Sequence, residues 1–238
     1  MALVGMDGIH CWFWPDFTEA WKAPEEGAII RLLLNNTIIH MQALLNTPSQ
    51  TLSDIVWSDK SNQWLRFLTF AIAGSIALTV SAKISIPAIP VPFTLQTLVV
   101  LLLGFAYGPA LAGATVGLYL LQGALGLPVF QGTPEKGLGM IYMMGPTGGY
   151  LAGFLVAAVV CGKLAQKGWD RRFSTMALGM LVGTAIIYAF GLAWLGMLIG
   201  WDKPVLQLGM IPFLAGDLIK IVIAVALVPM LWKRVNRK

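Results

Sequence analysis

The sequence is poor in charged residues. Only 11% of its 238 residues are Asp, Glu, Lys or Arg, whereas about one-quarter of an average soluble domain is charged. Three stretches, residues 84–134, 137–162 and 173–201, contain no charged residue at all. Because a membrane-spanning helix needs about 20 apolar residues, each stretch has room for one or two spans. This distribution excludes an ordinary soluble enzyme and predicts a polytopic membrane protein.

Cysteine and histidine are also scarce. Cys11 and Cys161 are far apart in the chain, and His10 and His40 are its two histidines. This pattern suggests neither a disulfide framework nor a metal site. The sequence also lacks the Gly-Lys-Ser/Thr ending of a phosphate-binding loop, so we do not expect this chain to hydrolyse ATP. We therefore predict a protein that is not an enzyme and that needs no cofactor.

The basic residues set the predicted orientation. The net charge of +5 comes largely from clusters at residues 163–172 and 233–238, both beside apolar segments. Such clusters usually mark the cytoplasmic side of a membrane protein, so we predict contact with a lipid bilayer and not with nucleic acid. Six spans are predicted at residues 64–83, 93–107, 110–125, 146–166, 174–200 and 208–232. The two clusters then share one side, which predicts an all-α compact bundle of six transmembrane helices with both termini cytoplasmic.

The beginning of the chain differs from the rest. Residues 1–58 hold most of the acidic residues and no long apolar run. We predict a poorly ordered N-terminal extension over residues 1–58, in preference to a regulatory arm, because chain ends are often loosely ordered. Residues 59–238 form the predicted membrane domain.

The most specific candidate for a site is the pair Asp217 and Lys220 within the last predicted span. Their spacing of three residues places them on one face of a helix. A lone charge at membrane depth costs about 2.5–3.5 kcal/mol, so the pair must face the protein interior or a wet cavity. We favour a substrate site over a purely structural ion pair.

Two other segments lie near the predicted outer face. In residues 90–97, Thr94 and Gln96 are polar groups at the entry to the second span, which is either part of a site or an ordinary helix start capped by Thr94. Residues 145–150 contain three glycines, which allow close approach to a ligand or to another helix. Taken alone, the glycines favour helix packing.

The first span carries a stripe of small residues, Ala73, Ala77 and Ser81, spaced by four. This small-xxx-small pattern lets another helix approach closely. The partner helix could be internal or could belong to another subunit.

Taken together, four segments carry a family resemblance. Residues 90–96, 123–130, 145–150 and 217–220 occur in this order and closely resemble the biotin-specific substrate-binding (S) component of energy-coupling-factor transporters, the BioY family. The resemblance extends over residues 67–231. It implies a six-helix bundle in the bacterial plasma membrane that binds biotin from outside. It also implies partners, a transmembrane coupling protein and two ATP-binding-cassette ATPases, although some members are thought to work without them.

The resemblance also implies roles for individual residues. Asp217 would accept hydrogen bonds from the ureido ring, and Lys220 would pair with the carboxylate of the tail, although which end of biotin meets this pair stays open. The other expected contacts are polar or aromatic side chains, namely Gln96, Thr94, Gln131, Tyr150 and Tyr119. Ala73, Ala77 and Ser81 resemble the stripe that contacts the coupling protein. Lys136 could meet the carboxylate, but we favour a position in solvent.

Two alternatives for function stay open. One is a binder of another small vitamin, because the residues themselves indicate only a small ligand that is polar at its ends and partly apolar. The other is a solitary proton-coupled secondary transporter in which Asp217 relays a proton. The absence of an evident inverted repeat weakens the second alternative.

Overall fold

The computed structural model describes residues 51–56, 62–86 and 91–235. Within these ranges the elements, in chain order, are α1 (Leu52–Val56), α2 (Gln63–Lys83), β1 (Ser85–Ile86), β2 (Phe93–Thr94), α3 (Gln96–Ala124), α4 (Gly139–Met143), α5 (Gly148–Gln166), a 3₁₀ turn (Trp169–Arg171), α6 (Phe173–Ile199), α7 (Val205–Gly209) and α8 (Ile211–Val235). The predicted extension over residues 1–58 lies largely outside the described residues, so its poor order stays a prediction.

The predicted helical membrane architecture is confirmed in its coarser form. Among the described residues, five helical segments are long and apolar enough to cross a membrane: α2, α3, α5, α6, and α7 together with α8. Their ends lie within three residues of the predicted span ends, apart from the short helix α7 that precedes α8. The count of six spans and the cytoplasmic position of both termini stay predictions.

Helix α3 reverses direction in its middle. Gly108 has a φ of 78°, a conformation that glycine adopts without steric cost, and Pro109 follows it. The Gln96 side-chain amide donates a 2.7 Å hydrogen bond to the Tyr119 hydroxyl. In a straight helix these two residues would lie about 35 Å apart, at 1.5 Å per residue. The two arms of α3 therefore run antiparallel, with the turn between residues 107 and 110, where the sequence predicts a boundary between two spans.

Glycines set the close packing of α5 against its neighbours. A Cβ atom on Gly162 would lie 2.4 Å from the Pro109 nitrogen, so the tip of the α3 hairpin touches the α5 backbone. A Cβ on Gly153 would lie 3.0 Å from the Ile187 Cα of α6. Small residues at such positions let membrane helices approach closely, which here brings α3, α5 and α6 around one core.

The start of α3 differs from the prediction. Phe93 and Thr94 form β2, which pairs with β1 in the antiparallel register Ser85↔Thr94 and Ile86↔Phe93. The second span therefore begins at Gln96 and not at Phe93. Ile86 precedes Pro87, and the residue before a proline favours extended backbone, which suits the pairing of β1 with β2. Pro87 and Pro90 lie outside the described residues.

Candidate functional site

A cavity lies between β2 with the two residues before it, the loop after α3, and helices α3, α5, α6 and α8. Six of the seven predicted ligand-contacting residues line it: Thr94, Gln96, Gln131, Tyr150, Asp217 and Lys220. Much of the remaining wall is aromatic or aliphatic, including Phe93, Phe130, Tyr142, Phe154, Ile187 and Phe213. A mostly apolar cavity with a few polar groups is typical of a small-molecule site.

The polar centre of the cavity wall is the Asp217–Lys220 pair on α8. The Lys220 ammonium lies 2.8 Å from Asp217 Oδ1, and both side chains are more than nine-tenths buried. The same ammonium donates to the Thr94 carbonyl oxygen at 2.7 Å and to the Thr97 hydroxyl at 2.8 Å. It also lies 4.3 Å from the centre of the Phe93 ring. Lys220 thus joins α8 to β2 and to the start of α3.

Tyr188 of α6 completes this cluster, and the sequence analysis missed it. Its hydroxyl donates to Asp217 Oδ2, and Thr97 approaches Oδ1 at 3.4 Å. Both carboxylate oxygens therefore have hydrogen-bond donors, as a buried charge requires. The signal for Tyr188 was present in the sequence, because a tyrosine inside a charge-free span usually finds a hydrogen-bond partner.

Tyr119 does not line the cavity, contrary to the predicted direct contact. It is fully buried behind the wall, where its hydroxyl accepts the Gln96 hydrogen bond and donates to the Val129 carbonyl oxygen at 3.2 Å. Its ring also packs edge-on against Phe130, with centroids 5.3 Å apart. Tyr119 therefore orients two residues of the wall, Gln96 and Phe130, from the second arm of α3.

The loop after α3 is fixed over the cavity by Lys83. Its ammonium donates three hydrogen bonds of 3.0 Å, to the Phe130 carbonyl oxygen and to the carbonyl and hydroxyl oxygens of Thr133. Gln131 donates to the Ser85 hydroxyl at 3.3 Å and accepts from the Lys136 ammonium at 3.2 Å. These bonds connect the loop to the end of α2 and to β1, and so position Phe130 and Gln131 in the wall.

A second cavity adjoins the first, and we call it the vestibule. Four residues line both cavities: Pro92, Gln131, Tyr142 and Thr147. The vestibule alone is lined by Lys136, Ile141, Gly145 and Pro146. Because the shared residues form a common wall, the vestibule lies directly beside the main cavity.

Residues 145–150 serve both packing and the cavity wall. A Cβ on Gly149 would lie 2.2 Å from the Trp194 Cβ, so the packing interpretation of the glycines is confirmed. Trp194 also donates its indole N–H to the Gly145 carbonyl oxygen at 2.9 Å. Tyr150 lines the cavity and donates its hydroxyl hydrogen to the Gly209 carbonyl oxygen at 2.8 Å.

The predicted stripe on α2 is not a single exposed face. Ala73 and Ala77 are exposed, whereas Ser81 is buried and donates to the Leu78 carbonyl oxygen at 2.8 Å. At 3.6 residues per turn, each step of four residues rotates by about 40° around the helix, so the third member drifts away from the first. The exposed part of the stripe is therefore Ala73 and Ala77.

The arrangement is suited to binding. It presents carboxylate, hydroxyl, amide and aromatic groups around one cavity, with the charges of Asp217 and Lys220 paired. Over residues 51–56, 62–86 and 91–235, no group of three or more His, Cys, Asp or Glu residues could hold a metal ion. The site fits a small, partly apolar ligand with hydrogen-bonding groups.

Comparisons with known proteins agree with this architecture. The model of the BioY family matches residues 50–237. The chain is 42% identical over 147 residues to the biotin transporter BioY of Thermotoga maritima, covering 62% of this chain and 84% of that protein. It is 39% identical over 155 residues to the probable biotin transporter BioY of Pyrococcus horikoshii, covering 65% and 89%.

A solved structure is similar as well. The crystal structure of the S-component for biotin from an ECF-type ABC transporter superposes with a TM-score of 0.62 and 27% sequence identity. The match covers 74% of this chain and 95% of that one. The long apolar helices show a multi-pass membrane protein, and the match of the family model to residues 50–237 shows that the chain belongs to the BioY family.

Proposed function

We propose that this chain captures biotin from outside the cell and takes it up across the membrane as the substrate-binding component of an energy-coupling-factor transporter. The observation that carries the proposal is the mostly apolar cavity with a hydrogen-bonded polar cluster in its wall, found in a member of the BioY family. Its relatives are named as biotin transporters, and the similar solved structure is an S-component for biotin.

The cavity has the chemistry that biotin requires. Biotin combines an apolar ring system and alkyl tail with a ureido group, which offers two N–H donors and a carbonyl acceptor. Asp217 and the Gln96 amide supply hydrogen-bonding groups in the wall, while Phe93, Phe130 and Tyr150 supply apolar surface.

We further propose that the chain crosses the membrane six times, because the two arms of α3 each cross once. Gly162 touches the hairpin tip at Gly108, and it lies about one turn from the end of α5. The tip therefore reaches nearly the same side of the bundle as that end. The two arms account for the difference between five long helical segments and six predicted spans.

The distribution of basic residues supports cytoplasmic termini. The Arg171 guanidinium lies 4.8 Å from the centre of the Trp232 ring, and the Lys233 ammonium lies 4.9 Å from that of Phe173. The turn after α5 and the end of α8 thus lie together, and both carry basic clusters. By the positive-inside rule this end faces the cytoplasm, and the cavity then opens to the outside.

For the partners we propose a transmembrane coupling protein and two ATPase subunits in the bacterial plasma membrane. Ala73 and Ala77 support a helix-docking surface, since both are small and exposed on α2. The exposed side chains beside them are apolar, with Ile72 49% and Ile76 58% exposed, as expected of a face that lies in lipid or against another helix.

Uptake of labelled biotin tests the proposal. Cells that lack their own biotin transporter should accumulate biotin when they produce this chain together with the coupling protein and ATPases. Lys220→Ala should lose uptake, because it leaves Asp217 buried without its counter-ion. Lys203→Ala is the matched control, since Lys203 is exposed and lines neither cavity. No accumulation with well-inserted wild-type protein would refute the proposal.

A further inference from the structure

The turn after α5 and the end of α8 carry cations without an acidic partner among the described residues. Within residues 51–56, 62–86 and 91–235, no ion pair involves the five exposed basic side chains at this end of the bundle, Lys163, Lys167, Arg171, Arg172 and Lys233. Asp170, which precedes Arg171, is buried and accepts a hydrogen bond from the Trp232 indole. Its carboxylate therefore faces inward, and the cations outside are left without a counter-charge from this acid.

Aromatic rings hold two of these cations at the place where three helices end or begin. The Arg171 guanidinium lies over the Trp232 ring of α8, and the Lys233 ammonium lies over the Phe173 ring of α6. A Cβ on Gly168 would lie 3.7 Å from Arg171 Cδ, so the stem of this arginine also packs beside the end of α5. Because like charges repel one another, cations fixed close together are stabilised by an anion that binds between them.

The cluster lies at the depth of lipid headgroups. Helix α5 has 19 residues and is thus about 28 Å long, close to the thickness of about 30 Å of the hydrocarbon core of a bilayer. The turn that follows α5 directly therefore lies in the headgroup region. Trp169 is half-buried in this turn, as is usual for tryptophan at a membrane interface. The anions present at this depth are the headgroups of acidic lipids.

We propose that this end of the bundle is a binding site for anionic phospholipids, in which Lys167, Arg171 and Lys233 contact a headgroup with net negative charge. The guanidinium offers a planar pair of donors that matches two phosphate oxygens, and the ammonium groups add point charges. Phe173, which is 40% exposed, provides apolar surface beside them. None of these residues lines the main cavity or the vestibule, so the site is separate from that of the proposed function and does not depend on it.

Two lipids with the same acyl chains test the site: dioleoyl phosphatidylglycerol, which is anionic, and dioleoyl phosphatidylcholine, which has no net charge. Each is titrated into the full chain purified in detergent, and bound lipid per chain is measured by native mass spectrometry. Wild type should bind the anionic lipid about 100-fold more tightly, with about fivefold from each of the three cations. High salt should weaken this preference. Inorganic phosphate at the same concentration should not displace the anionic lipid, because it lacks the acyl chains.

Variants assign the preference to these residues. Arg171→Gln with Lys233→Gln should reduce it about 25-fold, and Lys167→Gln should reduce it about fivefold. Lys203→Gln is the matched control, since Lys203 is exposed in the loop after α6, and it should keep the wild-type preference. The unfolding temperature in the choline lipid checks that each variant is folded. If the double variant does not fold, Lys167→Gln decides, because the Lys167 side chain has no described contact.

Three results would overturn the proposal. The first is a wild type that binds both lipids equally, which would mean that another group neutralises the cations. The second is an unchanged preference in the folded variants at Lys167, Arg171 and Lys233. The third is displacement of the anionic lipid by an equal concentration of inorganic phosphate, which would show a site for free phosphate and not for lipid.

Discussion

Lys220 and Asp217 lie one helical turn apart on α8, and their charged atoms are 2.8 Å apart in a buried cluster. The same lysine donates to the Thr94 carbonyl oxygen of β2 at 2.7 Å, so one side chain connects the polar cluster to β2. Loss of either charge should therefore affect both the stability of the bundle and the shape of the cavity wall.

Each single substitution in this pair should lower the free energy of unfolding by more than half as much as the double substitution does. Asp217→Asn or Lys220→Met leaves a buried charge unpaired, which costs about 3–5 kcal/mol. The double variant leaves no uncompensated charge and should be more stable than the sum of the single effects by about 1–3 kcal/mol. Unfolding in detergent, measured for all four proteins, gives this coupling. Strictly additive effects would mean that the two charges do not stabilise each other.

Tyr188→Phe should weaken ligand binding and lower stability. It removes the donor to Asp217 Oδ2 and leaves a buried oxygen without that partner, at a cost of about 1–3 kcal/mol. Thermal unfolding and a biotin titration measure the two effects. Tyr107→Phe is the matched control, because Tyr107 is outside the cavity wall and its hydroxyl makes no hydrogen bond among the described residues. Equal effects of both substitutions would contradict a specific role for Tyr188.

Two glycines provide a paired test of the helix packing. Gly149→Ala would place a Cβ 2.2 Å from the Trp194 Cβ and 2.5 Å from the Phe190 carbonyl oxygen. We expect the free energy of unfolding to fall by about 1–3 kcal/mol, because the clashing atoms are a Cβ and a backbone oxygen, which move only if a helix shifts. Gly117→Ala meets nothing within 4 Å in a helical arm of α3 and should be neutral or stabilising by up to about 1 kcal/mol. A similar unfolding temperature for both variants would argue against close α5–α6 packing.

Asp170 should make stability depend on pH. It is buried in the turn after α5, where Trp232 donates to Oδ2 and Oδ1 has no partner among the described residues. Burial raises the pKa of this carboxyl above its ordinary value. The folded state therefore holds the proton more tightly than the unfolded state. The resulting stabilisation is complete below the unfolded pKa and is lost as the pH rises through the folded pKa.

Asp170→Asn isolates this effect, because the amide oxygen still accepts from Trp232 but cannot ionise. The difference in unfolding temperature between the variant and wild type should shift in favour of the variant as the pH rises from acidic to neutral values. A difference that is constant over this pH range would show that Asp170 does not titrate between the folded and unfolded states.

The long helices could be predicted from sequence because charge-free apolar runs have few other structures in a membrane. The turn in α3 was predictable for a local reason, since Gly108 supplies the positive φ and Pro109 lacks the N–H that a continuous helix would use. The pairing of Asp217 with Lys220 was also predictable from local sequence, because residues three positions apart on a helix share a face.

Contacts between distant segments were harder to predict from the sequence. Tyr188 lies 29 residues from Asp217, and only the packing of α6 on α8 brings its hydroxyl to the carboxylate. The rotation of a helix about its axis determines which side chains it buries. Tyr119 and Ser81 are both buried, and they lie away from the ligand cavity and the exposed stripe predicted for them. The hairpin of β1 and β2 was missed because two-residue strands have too little sequence to show an alternating pattern.

The central claim is that this cavity binds biotin without help from another subunit. Calorimetric titration of the full chain, purified alone in detergent, tests it most directly. We expect one biotin bound per chain, with affinity strongly reduced in Lys220→Ala and unchanged in Lys203→Ala. A monodisperse, folded wild-type chain that shows no biotin binding would contradict the account.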